Sequence, residues 1–340
     1  MIKLSMLDQS PVSEGSTPAE ALAQTAILAQ EAEKLGYSRF WVAEHHFAPG
    51  LAGSSPEVLI AHLAAVTSSI RIGSGGILLP HYSAYKVAEN FRVLEALYPG
   101  RIDLGIGRAA GGGALAVRAL QEYGKADPDN FSEQVKDLIA YLHNGADLHH
   151  RFAGLQAMPT GSSAPEIWLL GSSKDSALLA AGLGTGFAFA RFINAHDGEE
   201  AMAAYRSRFC PSPLSLKPKG MVAVFVACAE TAEEADRLAS SMDLSAVLLD
   251  KTHVSAPTPS IEYALSYPYT PYEKHIVQES RRSMLVGSPE EIRNQLHDLC
   301  DRFGCEEVMI GSVMHRFSDK LKSYQLIAEA CGLTPRMSSF

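Results

Sequence analysis

Short, nearly continuous apolar runs alternate along this chain with longer stretches bounded by helix start and stop signals. Residues 3–7 read as a strand and 18–35 as a helix, opened by Thr17-Pro18 and closed by Gly36. "RFWVA" is a second strand, and "SPEVLIAHLAAVT" starts a helix with Ser55 at the N-cap and Pro56 in its first turn. "IRIGSGG" is a third strand, a helix over roughly 84–97 stops before Pro99-Gly100, and "RIDLGIG" is a fourth strand. A Gly-rich loop, a helix near 130–143 and an irregular stretch at 144–164 follow. The rhythm resumes with "EIWLLG", a helix over 173–182, "GFAFA", a helix near 197–208, "GMVAVFVACA" and a helix over 231–247. Residues 248–282, crowded with proline and tyrosine, interrupt it. A short strand near 284–286, a helix from Ser288-Pro289, "EEVMIG" and a helix over 316–331 complete the pattern.

Eight main strands separated by helices imply an α/β protein with a parallel sheet, and that number favours closure into a (β/α)8 TIM barrel. The expectation is one barrel domain over residues 1–340, with insertions near 144–164 and 248–282. In such barrels the reactive groups collect at the C-terminal strand ends. His45, Gly75-Gly76, Gly107-Arg108, Gly171-Ser172 and Ala190-Arg191 all fall there, and the 248–282 excursion is expected beside the same mouth as a lid.

Composition narrows the class. Of 340 residues, 46% are hydrophobic and 20% charged, as in soluble globular proteins, and a net charge of −9 without a basic run argues against a nucleic-acid partner. No apolar stretch is long enough to span a membrane, and "MIKLSMLD" lacks a secretion signal. The five cysteines are scattered and form no C-x-x-C, which fits a reduced, cytoplasmic setting.

Four stretches carry candidate chemistry. In "WVAEHHFAPG", strand alternation puts His45 on one face and Glu44 and His46 on the other, a poor arrangement for a shared metal. His45 at a strand's C-terminal end is a candidate catalytic group; a structural histidine bonded to a backbone carbonyl is the plainer alternative. "LGIGRAAGGG" superficially matches a dinucleotide fingerprint, but three strand–helix units precede it and the helix beyond is not convincingly amphipathic. What remains is a loop with a cation, Arg108, suited to phosphate or simply solvated. In "LLGSSKDSALLAAGLG" a helix starts within a few residues of the strand, so Ser172, Ser173 and Ser176 can frame an anion site, or merely cap the helix. Gly75-Gly76 in "IGSGGILLPHY" can admit a planar ring close to the backbone, or reflect tight packing.

Together with "LSMLDQSPVSEG", "FWVAEHHF", "LVGSPEEI" and "SYQLIAEA", these stretches resemble the luciferase-like, flavin-dependent monooxygenases over nearly the whole chain. The resemblance implies a barrel that binds reduced FMN, supplied by a separate NAD(P)H:flavin reductase, and activates O2 as a flavin C4a-hydroperoxide to oxidise a small organic substrate. The family's active-site histidine falls on His45 and its phosphate-binding arginine on Arg108. Its phosphate loop falls on Ser172, Ser173 and Ser176, and its cis peptide beneath the flavin ring on Gly75-Gly76. Gly107 and Gly171, beside these groups, complete the implied cofactor-binding set, and a homodimer is implied by analogy. Two departures touch the pocket: Gly107 stands where light-emitting members carry cysteine, and Ala110-Gly111-Gly112-Gly113 replaces a Pro-Gly-Gly-Asp-like turn. Aldehyde oxidation and luminescence therefore do not carry over. The rivals are an F420-dependent oxidoreductase on the same fold and a non-catalytic flavin-binding protein, with a metal hydrolase further behind.

Overall fold

Capping chemistry sets the helix ends. In the computed structural model, which describes residues 2–122, 130–143, 145–146 and 149–335, α1 (Pro18–Leu35) begins in a capping box. Thr17 Oγ1 accepts from Glu20 N at 3.2 Å, and Glu20 Oε2 accepts from Thr17 N at 2.8 Å. Gly36 closes the helix in the left-handed region at φ 88°, and a Cβ there would lie 2.3 Å from the Thr334 carbonyl oxygen. α2 (Pro56–Ala65) differs from expectation in one detail: Ser55 occupies the N-cap but makes no side-chain capping bond.

The strands are β1 (Lys3–Asp8), β2 (Arg39–Val42), β3 (Arg71–Leu78), β4 (Ile102–Gly107), β5 (Glu166–Gly171), β6 (Gly186–Ala190), β7 (Gly220–Cys228), β8 (Met284–Gly287) and β9 (Glu307–Gly311). β1 to β7 pair in sequence order, and β9 closes the ring between β7 and β1. Every pairing is parallel, giving the expected (β/α)8 TIM barrel. β8 stands outside the ring and extends the C-terminal half of β7 from Phe225 to Cys228. Outward strand residues such as Leu4, Phe40 and Ile72 pack under the helices, while Leu7, Trp41, Trp168, Met221 and Met309 fill the barrel. Trp41 and Trp168 meet edge to face at 5.7 Å.

Charged groups close the floor of the barrel. Arg39 reaches Asp103 at 2.9 Å, Glu166 at 3.1 Å and Glu307 at 2.9 Å, with its guanidinium 4.8 Å over the Trp168 ring. Arg71 Nε donates to Asp103 at 2.8 Å, Trp41 Nε1 to Asp103 at 2.9 Å, Ser5 to Glu307 at 2.6 Å and Lys219 to Glu166 at 2.6 Å. Three cations thus face three carboxylates across β1 to β5, β9 and the approach to β7. Burial alone would raise the Glu166 carboxyl, but Arg39, Lys219 and Arg71 outweigh it and hold it at about 2.

Two stretches depart from the sequence reading. The helix expected to stop at 247 continues to Thr252 as part of α8 (Ala232–Thr252), and residues 248–282 go on to form α9 (Ile261–Ser266) and α10 (Pro271–Arg282). The prolines there are helix starters: Thr270 caps α10 in a box with Glu273, and Pro271 follows in its first turn. The tyrosines pack on one another, Tyr267 against Tyr269 at 4.9 Å, beside Leu244 and Val247 of α8. Among the described residues, the Gly-rich loop after β4 contains one short helix, Ala114–Leu120, with no buried residue, consistent with its weak amphipathic pattern. Within 144–164, residues 144, 147 and 148 lie outside the described residues, and 149–164 form neither helix nor strand. Among the described residues, no helix is long and apolar enough to cross a membrane.

Arg39→Ala should lower the unfolding free energy by about 3–5 kcal/mol, because it strands buried carboxylates. Lys174→Ala, which breaks an exposed pair with Glu200, should cost less than about 1 kcal/mol. Urea denaturation at pH 7 compares them; losses of equal size would mean that the floor cluster does not hold the barrel. The Glu166 charge stabilises the fold above the carboxyl's ordinary 4.5, and that contribution is lost as pH falls from 4.5 towards 2. Glu166→Gln should flatten the stability profile in that window, and an unchanged acid slope would assign it to other carboxylates.

Candidate active site

β2 ends at Val42, and the next four residues turn across the C-terminal mouth. Glu44 is buried and gathers three donors: His46 Nε2 at 2.7 Å, the Tyr82 hydroxyl at 2.6 Å and the Leu78 backbone N–H at 2.9 Å. The carboxylate therefore ties the end of β2 to the end of β3. The His46 N–H donates to the Gly111 carbonyl at 2.8 Å, which hangs the Gly-rich loop on the same anchor. Gly111 (φ 60°) and Gly112 accommodate that contact: a Cβ would meet Leu78 Cδ1 at 2.0 Å in the first case and the His46 carbonyl at 2.6 Å in the second.

His45 points the other way. Its backbone N–H donates to the Gly53 carbonyl at 2.9 Å, and its ring Nε2 lies 3.2 Å from Gln9 Nε2, beyond the end of β1. With the Gln9 amide as donor, Nε2 accepts and the ring carries its proton on Nδ1. Burial, assisted by His46, lowers the His45 pKa from its ordinary 6.5. The imidazole is neutral at physiological pH and poised for proton traffic. It opens on a cavity of about 480 Å3 that Gln9 also lines. The far wall is Phe225 from β7 and one face of α8, and residues 253–258 form part of the rim. That rim is pinned: Gly50 N donates to the Ser255 carbonyl at 2.9 Å, and Thr258 N to the Val12 carbonyl at 2.8 Å. The mouth-side position expected of the 248–282 stretch is thus observed, as a hydrogen-bonded wall.

The remaining candidates sit along β3, β4 and β5. The Gly75-Gly76 peptide is cis. A Cβ on Gly76 would lie 2.8 Å from the Gly105 carbonyl oxygen and one on Gly75 2.7 Å from Leu7 Cδ1, so tight packing demands both glycines. Gly75 stays partly exposed, leaving backbone accessible from the mouth. Asp103 pairs with Glu166 and Ile106 with Leu169, and continuing this register sets Arg108 beside Gly171. Arg108 is exposed and makes no ion pair or side-chain hydrogen bond among the described residues. Ser173 caps α6 (Lys174–Leu183) by accepting from Ser176 N at 3.3 Å, and its hydroxyl meets that of Ser176 at 3.1 Å. The Ser172 carbonyl is held by Asn194 Nδ2 at 3.0 Å. A Cβ on Gly171 would run into Ser176 Oγ at 2.5 Å, so glycine lets that hydroxyl close on the strand end, whereas Gly107 has ordinary space around it. Arg191 turns aside, donating to the Arg282 carbonyl at 2.7 Å.

The model of the luciferase-like monooxygenases matches residues 2–306. The chain belongs to that family. It is 52% identical to the uncharacterized protein YwcH of Bacillus subtilis, over 97% of this chain and 99% of that protein. It is 40% identical to the N-acetyl-S-alkylcysteine monooxygenase of the same organism, over 97% and 98%. The crystal structure of apo-MsnO8 superposes with a TM-score of 0.90 at 41% identity, covering 99% of this chain and all of that one.

In this luciferase-like monooxygenase the candidates divide into two groups. His45 lines the cavity, whereas Gly75, Gly76, Gly107, Arg108, Gly171, Ser172, Ser173 and Ser176 lie along the neighbouring strand ends, outside its lining. Strand alternation was expected to turn His46 away from the pocket, yet β2 ends at Val42 and the cavity wall that holds His45 also includes His46. Its ring is nonetheless committed to Glu44, because the strand has already ended and the chain curls back. Gln9 was missed; its signal was a polar amide directly after an apolar strand. The α8 wall was missed because its apolar face reads as ordinary core.

The His45 ring should titrate below 6.5, with the signal assigned through its loss in His45→Gln. Since burial disfavours the charged ring, this residue should weaken the fold as pH falls below 6.5 and leave it unaffected above. A ring titration by NMR at or above 6.5 would contradict the burial argument.

Proposed function

We propose that this protein is an FMN-dependent monooxygenase of the two-component type, a single barrel domain over residues 1–340 that uses reduced FMN and O2. The carrying observation is the division of one barrel mouth into a cation unpartnered among the described residues, beside a serine-framed helix start, and a half-open cavity lined by a neutral histidine. Free Arg108, the helix dipole and the Ser172, Ser173 and Ser176 hydroxyls suit a phosphate, and the partly exposed backbone at Gly75 suits a flat ring. The residues present therefore fit the cofactor.

Arg108 holds the phosphate through charge-assisted hydrogen bonds, and the first turn of α6, with Gly107 and Gly171 alongside, receives its remaining oxygens. When bound, reduced flavin supplies the electrons that activate oxygen. His45 holds or moves one proton at the reacting oxygen, with its tautomer set by Gln9. Glu44 keeps the strand ends and the Gly-rich loop in place around it. The α8 wall and the pinned rim exclude water from the cavity. Reduced FMN comes from a separate NAD(P)H:flavin reductase and the barrel works as a homodimer, as the family resemblance supports, in the cytoplasm, as the scattered free cysteines support.

Arg108→Ala should weaken FMN binding roughly 10- to 100-fold, the loss of one or two charge-assisted hydrogen bonds, with riboflavin binding little changed. Calorimetry with FMN, riboflavin and F420 reads this directly. Equal losses for FMN and riboflavin would place Arg108 away from the phosphate, and tight F420 binding without FMN binding would overturn the cofactor.

A further inference from the structure

The cavity beside His45 carries information about what it holds. Along α8, Met242, Ser245, Ala246 and Leu249 face it at helical spacing, and Phe225 and Val313 continue the same apolar wall. Its polar side chains are uncharged amide, hydroxyl and imidazole groups: Gln9, His45 and His46 beside one another, the Ser245 and Ser280 hydroxyls on the wall, and His253, Ser255 and Thr258 along the rim. Among the described residues, no Lys, Arg, Asp or Glu lines it. Two charged neighbours of lining residues are already committed: Arg281, next to Ser280, to Asp243 through bonds of 2.6 and 2.8 Å, and Glu44 to His46, Tyr82 and the Leu78 N–H. An ionised ligand here would lose its hydration with no opposite charge to replace it.

We propose that this cavity binds an uncharged, predominantly apolar substrate, with its one polar, oxidisable group at Gln9 and His45 and its apolar body along α8. The proposal rests on the reading of His45 as the reacting end of the site. The candidate cofactor residues lie outside the lining, so the cavity is left for the second reactant. Its volume, about 480 Å3, lies within the range of small-molecule pockets. Serine hydroxyls can accept or donate to a neutral carbonyl, thioether or hydroxyl without imposing a charge.

Decan-2-one, decanoate and decylammonium share a chain and differ in head-group charge, so calorimetry on the full chain tests the proposal. The ketone should bind at least about 10-fold more tightly than either ion. Ala246→Trp should fill the cavity and lower ketone affinity by about 10-fold or more while FMN affinity stays within about 2-fold. Ala246→Lys should reverse the preference towards decanoate, which keeps the test decisive should the tryptophan variant fold poorly. Equal binding of ketone and decanoate by the native chain, or an Ala246→Lys variant with unchanged preference, would overturn the proposal. Competition between FMN and ketone would overturn it too, by placing the flavin ring in this cavity. Normal ketone binding with no FMN binding would instead sink the cofactor reading and leave this one standing.

Discussion

The Arg39 guanidinium is the constraint on which the barrel floor depends. Its bonds to Asp103, Glu166 and Glu307 gather β4, β5 and β9 around the start of β2. A charge this deep is tolerable because every partner is itself multiply bonded, with Trp41, Ser5 and Lys219 taking up remaining oxygen positions. The cluster opposes slippage between strands, since moving one strand by a residue would face a buried carboxylate with an apolar side chain. A floor held in register delivers the strand ends at the opposite mouth to fixed positions.

At that mouth a second buried carboxylate takes over. Glu44 accepts from one backbone N–H and two side chains, and His46, one of those side chains, holds Gly111 through its own backbone, so the loops after β2 and β3 are held as one body with the glycines after β4. This leaves His45 free of structural duty except for its contact with Gln9. The imidazole thus faces a half-open cavity while its neighbours are held by other groups.

The two sides of the mouth differ in kind. The β4–β5 side offers an exposed cation, hydroxyls and a helix start, while the β7–α8 side offers apolar surface and, among the described residues, no Lys, Arg, Asp or Glu in its lining. Such asymmetry suits two ligands of opposite character meeting between them. It follows from topology: β8 and α8 to α10 lie between β7 and β9, so their added surface covers only that side of the barrel.

Much of this was written locally in the chain. The strand–helix alternation, the Thr17-Pro18 and Ser288-Pro289 starts and the Gly36 stop depend on neighbours a few residues apart, and they were legible as periodicity and capping. The positions of His45 and Arg108 at strand ends followed from the same pattern. Local signals misled where one residue type serves two purposes: the prolines and tyrosines of 248–282 resemble loop formers, yet Pro271 starts a helix and the tyrosines pack together. Only tertiary structure could decide the rest, because it depends on contacts across hundreds of positions. Arg39 meets Glu307, Gln9 meets His45, and the face of α8 that turns to the cavity is indistinguishable in sequence from one that turns to core. Side-chain chemistry was readable from the chain, but which groups are brought together, and which stay unpaired, was set by the closure of the barrel.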